Sequence, residues 1–154
     1  MAVSDSKQYI VIFLENEQYA IEIKYIDSII TMQKITRVPK SQPHYKGVIN
    51  LRGDIIPVMS IRKKINQSED VYTDKTRVII VRPDPQAAPA GLIADEVKEV
   101  ISLKNEDVNQ LKYDKLDENT QYSTGVGKYG KDLITILNIP VLVMDKELAA
   151  QVSG

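Results

Sequence analysis

Residues Lys46-Gly47-Val48-Ile49-Asn50-Leu51-Arg52-Gly53-Asp54-Ile55-Ile56-Pro57-Val58 hold two β-rich runs on either side of a Gly-Asp pair. A glycine at that point supplies the positive φ that a tight hairpin turn demands, so the segment is expected to fold as a two-stranded hairpin. Arg52 then sits at or beside an exposed tip with a fixed backbone. A guanidinium held in that way offers a planar fork of donors to a carboxylate or to backbone carbonyls; the bland alternative is a solvated tip arginine. Arg52-Gly53-Asp54 also spells an adhesion tripeptide, but that role requires secretion, and the opening residues lack the basic stretch and apolar run of a signal peptide.

Working outward, the dominant period remains two. Residues 9–14 are a β-rich run, residues 15–17 a polar break, and Tyr19, Ile21 and Ile23 alternate with Ala20, Glu22 and Lys24, the pattern of a half-buried strand. Strands are also expected at 35–38, 77–81, 92–103 and 132–137, with a short helical turn at 61–65 and a polar loop at 67–75. Ile26, Ile29 and Ile30 have the i, i+3, i+4 spacing of a single helical turn. Residues 82–91, with three prolines and a glycine, read as a loop between neighbouring strands. Residues 120–130 read as a polar, glycine-rich connection. Residues 138–148 read as the one real helix, with Asn138 as its N-cap and Pro140 tolerated in the first turn. Many short strands and one late helix predict an antiparallel sandwich or barrel.

Composition closes off several classes of function. The 154 residues are 43% hydrophobic and 27% charged, as in a globular chain of about one domain. Twenty Lys and Arg against 21 Asp and Glu give a net charge of −1, which offers no electrostatic footprint for nucleic acid. There is no cysteine, hence no disulfide framework, thiolate metal site or Cys nucleophile, and one histidine, His44, cannot build a multi-His site. No apolar stretch approaches the ~20 residues of a spanning helix, so a soluble, cytoplasmic protein without direct membrane insertion is expected. No cofactor is expected.

Residues 125–130 match G-x-G-x-x-G, but a dinucleotide site needs that turn to open a helix. Here it leads into the β-branched run 133–136, so a hairpin connection is the better reading than a phosphate site. Asp95 and Glu96, read as neighbours on one strand, should point to opposite faces and cannot share a substrate. His44 has loop neighbours and no nucleophile elbow accompanies it. The sequence does hold apolar material where partial exposure is expected: Ile26, Ile29 and Ile30, and Val97, Val100 and Ile101 where Lys98 and Glu99 interrupt the alternation. Such residues serve either the core or a partner surface. The residues alone describe a β-rich binding module.

The hairpin segment resembles the G-V-x-N-L-R-G-x-I-x-P-V signature of CheW, the bacterial chemotaxis coupling family. Residues 19–23 are similar to its early strand, Thr36-Arg37-Val38-Pro39 to its I-T-x-V-P segment, residues 91–97 to its G-x-x-V-D-x-V strand, and residues 122–127 to its late x-G-x-G turn. Two departures stand out: Ser60-Ile61 replaces a common Asp-Leu, and Ser28 lies where some relatives carry an acid.

The resemblance implies a mainly β fold of two intertwined five-stranded SH3-like barrels, with short helices, a C-terminal helix and a hydrophobic core between the barrels. It places the domain at residues 8–150, with flexible segments at 1–7 and 151–154. It implies a non-catalytic adaptor that links the cytoplasmic tips of methyl-accepting chemoreceptors to the histidine kinase CheA and is recruited to membrane-associated receptor arrays. The residues that match the family's receptor groove are Ile26, Ile29, Lys46, Arg52, Val97 and Val100, with Arg52 foremost. A small enzyme or nucleotide-binding protein using residues 125–130 and an adaptor of the same fold in another pathway are the alternatives.

Overall fold

A computed structural model of the chain describes residues 5–39, 42–65, 67–110 and 122–143. Within them the chain runs β1 (Ser6–Leu14), β2 (Glu17–Glu22), a 3-10 turn (Ile23–Tyr25), β3 (Ile26–Thr31), β4 (Tyr45–Leu51), β5 (Asp54–Ser60), α1 (Ile61–Lys64), β6 (Arg77–Val81) and β7 (Ala90–Ala94). It continues through β8 (Glu96–Lys104), a second 3-10 turn (Asn105–Asp107), β9 (Val108–Gln110), β10 (Ser123–Tyr129), β11 (Asp132–Leu137) and α2 (Ile139–Val143). The strands form a six-stranded sheet, β8-β1-β2-β11-β10-β9, and a five-stranded sheet, β3-β6-β7-β5-β4. The three-residue β9 is the addition to the five strands expected of the first barrel. The 3-10 turn after β8 carries the chain from one edge of the first sheet to β9 at the other edge. In the second sheet Thr36 and Val48 exchange two backbone hydrogen bonds, at 2.8 and 2.9 Å, which bring the segment following β3 round to β4.

Three apolar layers result. Tyr9, Val11, Ala20, Ile101, Leu103, Ile134 and Ile136 fill the first barrel. Ile49, Ile56, Val58, Val78, Ile80 and Ile93 fill the second. Between the barrels lies the largest layer, including Ile10, Ile12, Leu14, Ile79, Val81, Leu92, Ala94, Ile139 and Leu142. The runs 9–14 and 78–81 are apolar at successive positions because alternate side chains enter two different cores.

Four expectations need correction. Ile26, Ile29 and Ile30 lie on a strand, not a helical turn: Ile26 pairs with Val81 and Ser28 with Ile80, so Asp27 is an extra, bulged residue that imitates helical spacing. Residues 92–103 form two strands in two sheets, broken at Asp95, so Asp95 and Glu96 are not strand neighbours. Residues 123–129 are a strand rather than a connection. The inward positions of β10 are Gly125 and Gly127, and a Cβ on Gly127 would meet the Leu103 side chain at 2.5 Å, so the usual apolar alternation is missing. Residues 35–38 are not a strand: Thr36 forms an isolated bridge with Val48. The C-terminal helix holds over Ile139–Val143, with the Val141 N–H donating to Asn138 Oδ1 at 3.2 Å; residues 144–148 fall outside those described. β1 begins at Ser6, so the paired strand includes Ser6 and Lys7.

Gly47 explains how β4 meets its neighbour. Its φ is +139°, and a Cβ there would stand 2.2 Å from the Thr36 carbonyl oxygen. Only a glycine lets the 35–38 segment approach this closely. Lys46, the bulged residue before it, is turned out of the ladder register between Tyr45–Met59 and Gly47–Val58.

Candidate docking site

The β4–β5 hairpin closes through Arg52 and Gly53, with φ of 54° and 91° and flanking pair Leu51–Asp54. Both central residues lie in the left-handed region, as a type I′ turn requires. The Asn50 side chain fixes the tip by accepting from the Gly53 N–H at 2.9 Å. Below it, Leu51 packs on the second-barrel core together with Ile30, Met32 and Ile35. Arg52 is exposed and makes no hydrogen bond or ion pair with any described residue. Ile55, beside the tip, is 59% exposed, an apolar neighbour that the continuous run 55–58 gave no reason to single out.

The other matching residues fall into three places. Ile26 and Val97 are half-buried at the margin of the layer between the barrels, where their strand partners Val81 and Ile12 are buried. Ile29 on the second barrel is 37% exposed and Val100 on the first 52%. Lys46 is apart from these and already engaged: its Nζ lies 2.6 Å from Glu69 and 4.0 Å from Asp70. Sequence reading had no access to that pairing, because the loop that carries Glu69 has no periodic signal.

A second polar centre escaped the sequence altogether. Ser60 caps α1, its Oγ accepting from the Lys63 N–H at 3.1 Å, so the departure from Asp at this position keeps the cap. The cap delivers Arg62 into the interior, where its side chain is 8% exposed. Arg62 Nε donates to Asp95 Oδ1 at 3.1 Å and Nη2 donates to Asp95 Oδ2; Nη1 donates to the Glu69 carbonyl at 2.8 Å and to Ser68 Oγ at 3.3 Å. Glu15, in the β1–β2 turn, brings a carboxylate oxygen to 3.6 Å, and its own N–H donates to Asp95 Oδ2 at 2.9 Å. One guanidinium therefore ties together the helix of the second barrel, the 67–75 loop, the crossover at Asp95 and a turn of the first barrel. The hydrogen bonds to Asp95 hold Arg62 above its ordinary pKa.

Nearby, Tyr19 is pushed up to about 12, first by burial and then by its hydrogen bond to Glu17 at 3.0 Å. Burial also raises the Asp70 carboxyl; Ser60 and Lys46 offset this in part without closing a hydrogen bond. Among the described residues, no three Asp, Glu or His side chains gather as a metal site, and no helix is long and apolar enough to cross a membrane.

The model of the CheW-like domain matches residues 8–147. The chain belongs to the CheW-like family. Chemotaxis protein CheW of Bacillus subtilis is 33% identical over 150 residues, covering 94% of this chain and 91% of its own length. That of Klebsiella aerogenes is 29% identical over 143 residues, covering 93% and 85%. Among solved structures, the scaffolding protein TtCheW of Thermoanaerobacter tengcongensis superposes with a TM-score of 0.81 at 27% identity, covering 92% of this chain and 94% of the other. The two SH3-like barrels expected from the CheW resemblance are thus the fold of this chain.

Proposed function

We propose that this CheW-like chain is a non-catalytic chemotaxis adaptor that couples methyl-accepting chemoreceptors to the histidine kinase CheA, working in the cytoplasm and recruited to receptor arrays. What carries the reading is the hairpin tip: a guanidinium without an internal partner, on a backbone pinned by a type I′ turn, with exposed Ile55 beside it. Rigid presentation lowers the entropy lost on docking, and an arginine fork adds direction to an apolar contact. In this reading Ile26 and Val97 line the margin of the receptor groove, Ile29 and Val100 supply exposed apolar area, and Lys46 supports the 67–75 loop from inside. The similarity to chemotaxis CheW proteins and to the scaffolding protein TtCheW supports it.

Co-sedimentation with CheA and a receptor signalling fragment tests the reading. Arg52→Glu should sharply weaken capture while circular dichroism and thermal stability stay native; undiminished capture counts against the site. If Ile29 or Val100 is a buried anchor in the complex, its replacement by alanine costs ~1 kcal/mol or more of binding. A thermal-shift screen with nucleotides separates the alternative built on residues 125–130, since a ligand at ~100 times its dissociation constant stabilises by ~2.7 kcal/mol. No such shift is expected, because those residues form β10 and its turn rather than a phosphate-facing helix start.

A further inference from the structure

A groove of about 660 Å³ lies on the second barrel beside the start of β4, with Met32, Ile35, Arg37, Tyr45, Lys46, Glu69 and Tyr72 among its walls. Its volume is that of a binding cleft. Its walls are held from several directions. The Thr36–Val48 bridge fixes the backbone beside Arg37. The loop bearing Tyr72 is held by the hydrogen bond from Arg62 to the Glu69 carbonyl, by Lys46, and by the Thr73 N–H donating to Thr76 Oγ1 at 2.8 Å. Tyr72 is 50% exposed.

The charges of the groove are unequal. Lys46 is engaged by Glu69 and Asp70, and Glu69 also takes Lys63 at 3.2 Å. Arg37 is exposed and has no hydrogen bond or ion pair with any described residue, and the same holds for Lys34 on the same segment. The uncompensated charge is therefore positive, and it stands beside methionine, isoleucine and tyrosine side chains. The complementary occupant carries a carboxylate next to an apolar side chain, in a form extended enough to lie in an open trough.

We propose that this groove docks an acidic peptide segment of a partner protein, with Arg37 pairing a carboxylate and Tyr72, Met32 and Ile35 covering a neighbouring apolar side chain. This goes beyond the adaptor reading and does not rest on it: Arg52 takes no part, and the groove shares only the ring of Tyr45 with the layer between the barrels and the already paired Lys46 with the residues matched to the receptor groove.

The test is a selection of phage-displayed random dodecapeptides on the full chain. The enriched peptides are then synthesised, titrated by fluorescence anisotropy and mapped by amide chemical shifts. The expected result is enrichment of Asp or Glu beside Leu, Ile or Phe, with shifts clustered on the groove. Binding should be about tenfold weaker or worse on Arg37→Glu, the equivalent of one charge-assisted hydrogen bond lost. Tyr72→Ala should weaken it, Arg52→Glu should leave it unchanged, and peptides with Lys in place of the acids should not bind. Arg37→Ala, together with a fall in affinity as salt rises, keeps the test valid if the charge reversal disturbs folding. Enriched peptides without acidic residues, affinity indifferent to Arg37, failure to enrich any sequence, or self-association of the chain through these residues would each overturn the proposal. Loss of receptor capture by Arg52→Glu with intact peptide binding, or the reverse, separates the two readings.

Discussion

Removing Asp95 probes the polar clasp at the barrel junction. Asp95→Ala deletes the acceptor of two charge-assisted hydrogen bonds from a guanidinium that is only 8% exposed, and orphans the Glu15 N–H. Taking away one partner of a buried ion pair costs ~3–5 kcal/mol. Arg62 keeps the Glu69 carbonyl, Ser68 Oγ and the Glu15 carboxylate, and Asp95 is itself 19% exposed, which places the loss at the lower end. The expected cost is ~3 kcal/mol, or a fall in melting temperature of about 6–12 °C for a chain of this size. Urea titration followed by circular dichroism measures it as a lowered midpoint with an unchanged slope. Arg62→Met combined with Asp95→Ala removes the charge along with its partner and should recover most of the loss, giving a large coupling energy in the double-mutant cycle. A cost below ~1 kcal/mol for Asp95→Ala, or additive losses in the double variant, would refute the argument that the clasp is a coupled unit.

The same measurements check three further expectations. Asp70 has a raised pKa in the folded protein, so the native state holds its proton more tightly than the unfolded chain; that contribution is complete below the ordinary value of 3.8 and is lost as pH rises through the raised one. Asp70→Asn should therefore match the parent chain in acid and exceed it in stability at pH 7, and parallel stability curves from pH 3 to 7 would contradict this. Gly47→Ala should destabilise by at least ~2 kcal/mol through backbone strain and the Thr36 carbonyl clash, whereas Gly53→Ala, with positive φ but open space around it, should cost about 1 kcal/mol; equal thermal shifts for the two would show that the clash is relieved elsewhere. Ser60→Ala should cost about 1 kcal/mol as the cap of α1 is lost, and an unchanged urea midpoint would remove the cap from the account.

What could be read from the chain is what local chemistry specifies. The Arg52-Gly53 tip, the Glu15-Asn16 break and the loop after β6 each sit between strands that pair with each other, so turn residues and flanking pattern suffice. Three kinds of feature were hidden. Bulges at Asp27 and Lys98 shift the apolar period by one residue, which made β3 resemble a helical turn and made β8 look interrupted. Glycines on the inward side of β10 remove the hydrophobic signal while serving the packing of Leu103. Long-range polar pairs, Arg62 with Asp95 and Lys46 with Glu69, join residues 33 and 23 positions apart and leave no mark on any local window. Hence Arg52 could be read as an exposed tip residue and the engagement of Lys46 could not, while Ile55 is exposed because it stands next to the tip, ahead of the stretch Ile56–Ser60 that is buried at every position.

The order of strands has a consequence for how the molecule comes into being. The second sheet draws all its strands from one uninterrupted stretch, β3 to β7, while the first joins β1 and β2 to β8 through β11, which lie on the far side of that stretch. As the chain leaves the ribosome, the second barrel holds all its partners by the time Ala94 emerges, whereas β1 must wait for β8. Until then β1 and β2 are a lone hairpin, marginal in water, with the apolar faces of Ile10, Ile12 and Leu14 awaiting their layer. β1 is thus made well before the strand that seats it, and the nascent chain is most vulnerable to misassociation in that interval.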